Sequence, residues 1–154
     1  MGEIFVASGS AFTHAGLLYG IRALGLGTAI TGVCVRRDAV RQRERVADRV
    51  VGIGALLDSP VSLGGDDIRL TDATLAPGYG RLNDAVLEAV RLAAHHEGLL
   101  LDPVYTGKTM AGMVRCLGER QPAAPGAVLF IHTGGGPALF AYANELEAGL
   151  GEPG

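Results

Sequence analysis

The stretch FVASGSAFTHAGLLYGI, Phe5 to Ile21, carries the first residues whose types and spacing suit binding chemistry. Ser8, Gly9, Ser10 and Ala11 are small, and Thr13 adds a hydroxyl where an apolar run around Val6 gives way to Leu17, Leu18 and Ile21 at helical spacing. At such a strand-to-helix joint the first backbone N–H groups of the helix lack intrahelical partners. The helix dipole adds partial positive charge there, so an anion such as phosphate is favoured. Thr13 can cap the helix and offer its hydroxyl to the same anion. An ordinary N-cap in an α/β protein uses the same residue types, and this stretch alone suits both uses. A second joint of the same kind lies at Gly134 to Gly136, after AVLFIHT, with Pro137 suited to a first helical turn.

Other reactive side chains offer less. Cys34 and Cys116 lie far apart without CxxC or Cys/His spacing, and read as small apolar residues rather than ligands or nucleophiles. His95 and His96 are adjacent, so on a helix they diverge and cannot form the i, i+4 pair of zinc motifs; no metal is expected. Arginines cluster between Arg36 and Arg49, but Asp38, Glu44 and Asp48 interleave with them, as on a solvated helix face. The net charge of −3 over 154 residues shows no basic excess, which argues against nucleic acid as a partner. No apolar run reaches the length of a membrane span, and no charged segment followed by an apolar core opens the chain, so a soluble, cytoplasmic protein is expected.

The elements that must position these residues alternate. TAITGVCV, Thr28 to Val35, reads as a second buried strand, and residues 36 to 57 as a long amphipathic helix through Val40, Val46, Val50, Ile53 and Leu57. IRLTD is a short third strand. After the loop APGYGRLND, Asn83 or Asp84 starts a helix with Val86, Leu87, Val90 and Leu92 on its apolar face, ending at Gly98. GLLLDPVY gives a brief extended segment, and Thr106 or Thr109 caps a helix through Met110, Met113, Val114 and Leu117. AVLFIHTGGG is the last strand, and GLGEPG a frayed tail. With 48% hydrophobic residues, one packed domain is expected, without repeats or an internal linker. Its class is a three-layer αβα fold around a mostly parallel sheet, whose ligands bind at the carboxyl ends of the strands. The Ser8 to Thr13 and His132 to Gly136 loops then share one rim.

Four motifs in order, SGSAFTHAGL, PGYGRLNDA, EGLLLDPVYTGKTMAGM and LFIHTGGGPALFAY, resemble the C-terminal half of the D-cysteine desulfhydrase and 1-aminocyclopropane-1-carboxylate deaminase family. These are pyridoxal-phosphate enzymes of the tryptophan synthase β-like fold, and the resemblance runs from about Ile4 to Tyr142. It implies that Gly9, Ser10, Ala11, Phe12 and Thr13 hold the cofactor's phosphate and that Thr133 hydrogen-bonds its pyridine nitrogen. It implies further that Tyr79 and Tyr105 face a D-amino acid substrate. A tyrosine acts as a base or nucleophile there only if its pKa, ordinarily about 10, is brought down. Phe12 stands where the family usually has glycine, which is tolerable if the backbone keeps negative φ and the ring points outward.

Thr106 follows Tyr105, as in the desulfhydrase pattern; the deaminase pattern has a glutamate there. The resemblance therefore favours β-elimination from D-cysteine to pyruvate, ammonia and sulfide, with deaminase-like activity as the alternative. Family members attach the cofactor through a lysine of the N-terminal half, whereas the lysine of this sequence, Lys108, matches a position outside that role and is expected to pair with a carboxylate or cap a loop. The chain then reads as the C-terminal part of the large cofactor-binding domain, incomplete alone, needing an N-terminal-half partner and forming a homodimer when complete. A non-catalytic remnant that binds a phosphorylated ligand is a further reading. A nucleotide-binding module is disfavoured, because VCVRRD ends the second strand with arginines where a ribose-binding acid would stand.

Overall fold

The structure is a computed structural model and describes residues 2–120 and 126–151. Alternation along EIFVAS sends Ile4 and Val6 to one side of strand β1 (Glu3–Ser8) and Phe5 to the other, and all three are buried. A strand buried on both faces belongs at the centre of a covered sheet. Strand β2 (Ala29–Cys34) pairs in parallel with β1 from Glu3↔Ala29 to Ser8↔Cys34. Strand β3 (Arg69–Thr71) flanks β2, and β4 (Val128–Phe130) flanks β1 from Glu3↔Val128 to Phe5↔Phe130. The order is β3-β2-β1-β4, with every pairing parallel.

Helices α1 (Phe12–Ala23) and α2 (Ala39–Leu56) cover one face, where Leu18, Tyr19, Val46 and Val50 pack with Ile4, Val6 and Ile30. On the other face lies α4 (Thr106–Gly118), with α3 (Asp84–Glu97) packed on it and α6 (Ala143–Leu150) on α3. Val86, Val90, Leu101, Ala111 and Leu146 form this second core. Gly112 lets α4 approach the sheet, since a Cβ there would stand 2.8 Å from Val33 Cγ1. The three-layer α/β class expected from the alternation is thus the observed one, with a short helix α5 (Ala138–Ala141) following β4.

Several local expectations change. Thr13 does not cap α1: the N-cap is Ala11, in a left-handed conformation with φ 76°, and Thr13 is the second helical residue. Val40 and Leu57 are exposed rather than on the apolar face of α2. The buried stripe runs Gln42, Val46, Val50 and Gly54 at i, i+4 spacing; Val40 falls off it, and Leu57 lies past the last turn. Leu92 is likewise on the exposed side of α3. Neither Thr106 nor Thr109 caps α4; the Asp102 carboxylate does, as described below. The segment after Gly98 joins no strand among the described residues, and Leu101 drops into the second core. Helix α6 extends to Leu150, into the stretch expected to fray, and residues 152–154 lie outside the described residues.

Candidate active site

A cleft of about 190 Å³ opens beyond the carboxyl ends of β1 and β4, lined by Ala7, Gly9, Ser10, Thr13, Tyr105, Thr133 and Gly134. The two Gly-containing joints do share one rim, as the parallel sheet requires. A wider groove of about 270 Å³ between α3 and α6 is bordered by Asp84, Glu88 and Arg91, and brings no reactive groups to a point.

The turn after β1 is held from behind. Arg37 Nη1 donates to Gly9 O at 2.8 Å, Gln42 Nε2 to the same carbonyl at 3.3 Å, and Arg45 Nε to Ser10 O at 3.3 Å. A trans peptide points its N–H opposite to its carbonyl, so the N–H groups of Ser10 and Ala11 face away from these side chains. Among the described residues, no carbonyl or side chain accepts from the N–H groups of Ser10, Ala11, Thr13 or His14. These are the orphan donors of a helix start, gathered at one place. The arginine cluster therefore includes residues that grip the turn and is not simply a solvated face. Arg49 extends it: its guanidinium lies 4.8 Å from the centre of the Phe12 ring. Because the positive φ falls at Ala11, the bulk of Phe12 is accommodated, and the residue is 59% exposed.

Beneath the turn is a buried polar network absent from the sequence reading. Gln42 Nε2 donates to Ser8 Oγ at 3.0 Å, and that hydroxyl shares a hydrogen bond with His14 Nδ1 at 3.1 Å. Burial pushes His14 down to about 4, so the imidazole is neutral at pH 7, and its Nε2 is buried without a partner. The ring occupies the space a side chain would need at Gly32 of β2. That glycine, inside a β-branched run, was the available clue, since a strand-interior glycine often marks a close approach.

Across the cleft, Asp102 organises the start of α4. Its buried carboxylate accepts from the N–H groups of Val104, Tyr105 and Thr106 at 2.8 to 2.9 Å and from Thr106 Oγ1 at 2.7 Å. This capping explains why Tyr105 sits at a fixed place beside Gly9, with its Cε1 3.5 Å from where a Gly9 Cβ would stand. Gly135, at φ 97°, lies so close to the Asp102 carboxylate that no Cβ fits between them. The loop carrying Thr133 thereby rests on the residue that positions Tyr105. His132 steadies the same loop, accepting from Gly134 N–H at Nδ1 and donating from Nε2 to Leu100 O at 3.1 Å.

Tyr79 reaches the cleft through Tyr105, with their hydroxyls 2.5 Å apart and rings edge-to-face. The Arg36 guanidinium lies 5.5 Å from the Tyr79 ring centre. The hydrogen bond to Tyr79, then burial and the Asp102 charge, push the Tyr105 phenol up to about 12, against a smaller downward pull from Arg36. Tyr105 therefore keeps its proton at neutral pH, opposite to what a phenolate base would need. Cys34 is pushed up to about 12 by burial and by Asp72 and Asp38, which removes it as a nucleophile.

Residues 2–134 match the family described as pyridoxal-phosphate dependent enzyme. The chain belongs to this family. It is 47% identical over 142 residues to a D-cysteine desulfhydrase of Salmonella paratyphi C (strain RKS4594), and 46% identical to that of Salmonella typhi; each alignment covers 92% of this chain and 42% of the relative. A solved structure titled as an ACC deaminase homologue superposes with a TM-score of 0.83 at 32% identity, covering 95% of this chain and 43% of that one. The chain thus spans less than half the length of these relatives.

The pyridoxal-phosphate fold explains the geometry of the rim. Gly9, Ser10 and Thr13 line the cleft with hydroxyls and a close backbone, Ala11 shapes the turn from a buried position, and Phe12 points outward. The orphan N–H groups and the arginines behind the turn suit a phosphate dianion. Thr133 lines the same cleft. The residues present fit the cofactor of this family.

Proposed function

We propose that the chain is the C-terminal part of the large cofactor-binding domain of a pyridoxal-phosphate lyase that converts D-cysteine to pyruvate, ammonia and sulfide. The observation that supports this best is the lining of the cleft, where hydroxyls and one phenol converge and no carboxylate is present among the described residues. Pyridoxal phosphate, when bound, supplies an electron sink for the substrate's α-carbon. Ser10, Thr13 and the turn N–H groups would hold its phosphate, and the Thr133 hydroxyl would meet its ring nitrogen.

Thr106, which stands where the deaminase pattern has glutamate, is fully buried and spends its hydroxyl on Asp102. No acidic group from that position serves the cleft, which favours elimination over ring opening. The protonated Tyr105 phenol, hydrogen-bonded to Tyr79, can pass a proton toward a leaving thiolate and hold it until the bond breaks. Lys108 Nζ is engaged by Leu75 O at 2.8 Å and Gly78 O at 2.7 Å, capping that loop instead of pairing with a carboxylate. The amine that attaches the cofactor would come from an N-terminal portion, and a cytoplasmic homodimer is the form we propose for the whole.

A deaminase-like activity is the second reading, favoured by the superposition on the ACC deaminase homologue. The test is to co-express this chain with the N-terminal portion of a D-cysteine desulfhydrase relative and assay the complex. Sulfide from D-cysteine, with little 2-oxobutyrate from 1-aminocyclopropane-1-carboxylate, is expected. The reverse preference would establish the second reading, and a colourless, inactive complex would leave a remnant that holds phosphate at most.

A further inference from the structure

We infer that Lys108 is the positioning residue that sets Tyr79 against Tyr105. The inference rests on the proton-handling role proposed above for that pair. Lys108 follows Tyr105, the N-cap of α4, by three residues, so the start of one helix carries both the phenol and the ammonium. Its side chain is fully buried, and its Nζ donates to the carbonyls of Leu75 and Gly78. Gly78 is the residue before Tyr79. One ammonium thus ties the peptide next to the second phenol to the helix that bears the first.

The other ties of this loop act further away or from another element. Thr74 Oγ1 donates to Lys108 O at 3.1 Å at the loop's beginning, Asn83, at the start of α3, holds Thr74 O and Ala76 O, and Tyr142, which follows α5, donates its hydroxyl to Gly80 O at 2.7 Å just past Tyr79. Apart from the phenol pair itself, the Lys108 ammonium is the tie, among the described residues, that joins α4 to the end of the loop where Tyr79 emerges. A buried cation with no carboxylate partner is costly, and burial pushes Lys108 down from its usual range. Capture of two carbonyls at once, across a span set by the length of a lysine, is what that cost secures.

The groups that act directly on the Tyr105 phenol are Tyr79, Asp102 and Arg36. Lys108 is not among them, so its removal changes Tyr105 through the loop rather than through its own field. That separates positioning from electrostatics in one experiment. The chain would be prepared with 13C at tyrosine Cζ, and the Cζ shift of each phenol, which responds to the hydrogen bond its hydroxyl makes, read by NMR at pH 7, well below the ordinary lysine and tyrosine ranges.

Wild type should show the shift of a hydrogen-bonded Tyr105, and Tyr79→Phe the shift of Tyr105 with that partner removed. Lys108→Met should reproduce the Tyr79→Phe result, while Tyr19, whose hydroxyl donates to Ser59 O elsewhere, stays at its wild-type value and certifies the fold. An unmoved Tyr105 shift in folded Lys108→Met overturns the proposal. If Lys108→Met does not fold, Lys108→Arg serves: its longer, planar head displaces Gly78, and the Tyr105 shift should move part way toward its Tyr79→Phe value, an unmoved Tyr105 again overturning the proposal. The readout needs no turnover, so its failure is distinct from failure of the elimination reaction.

Discussion

The hydroxyls of Tyr79 and Tyr105 lie 2.5 Å apart, joining the loop that follows β3 to the N-cap of α4. One phenol donates and the other accepts, and ionising Tyr105 would place its charge in a partly buried site beside the Asp102 carboxylate. The pair therefore stores a proton rather than a negative charge. Tyr105→Phe in the reconstituted enzyme should lower turnover by about 10²- to 10⁴-fold, the range for loss of a positioned acid or base. Cofactor absorbance should stay intact, and unchanged turnover would remove Tyr105 from the mechanism.

Thr133 lines the same cleft as the turn of Gly9 and Ser10. A hydroxyl there would touch the cofactor ring, so Thr133→Ala should move the visible absorbance maximum as well as the rate. An unaltered spectrum with a reduced rate would place the hydroxyl on the substrate instead.

Ala11 carries the strained conformation of the turn, at φ 76°. Alanine tolerates it at modest cost, but a β-branched residue there is a genuine outlier. Ala11→Val should destabilise the chain by about 2 kcal/mol in urea unfolding and weaken phosphate protection against heat. Ala11→Gly should stay within about 1 kcal/mol of wild type, because relief of strain is offset by lost burial and added chain entropy. Equal stability of the valine and glycine variants would show that the turn relaxes freely.

His14 makes the fold sensitive to acid. Its folded pKa of about 4 lies below the ordinary 6.5, so the unfolded chain binds a proton that the folded chain refuses. This contribution is complete above pH 6.5, declines as pH falls, and is gone below about 4. The full swing is on the order of 3 kcal/mol. Chemical unfolding of wild type against His14→Gln at pH 7, 5.5 and 4 isolates it, since other acid-sensitive groups cancel in the difference. Parallel curves would mean that His14 titrates normally.

What the sequence disclosed follows from how local each feature is. The strand-turn-helix joints at Ser8 and Gly134 were legible because glycine and small polar residues break two clear periodicities. Asn83 was legible as a cap for the same reason, and its Oδ1 accepts from Val86 N–H. The Asp102 cap was not, since the carboxylate works four residues ahead of the helix it serves, in a segment that reads as extended. Nor was the support from Arg37, Gln42 and Arg45, which depends on α2 lying against the turn after β1. Lys108 showed its charge in the sequence but not its partners, because main-chain carbonyls some 30 positions away leave no mark in residue type.

Strand β4 is an outer strand of the sheet among the described residues, with Val128 and Leu129 each about 40% exposed. Its free side offers unpaired main-chain groups flanked by apolar side chains, an invitation to another extended chain. Only three residues long, it gives such a visitor few hydrogen bonds. Self-association of the separate chain should therefore be weak and concentration-dependent, growing with protein concentration in sedimentation. A lysine at position 128 should suppress it, making colloidal behaviour a simple gauge of whether that border is covered.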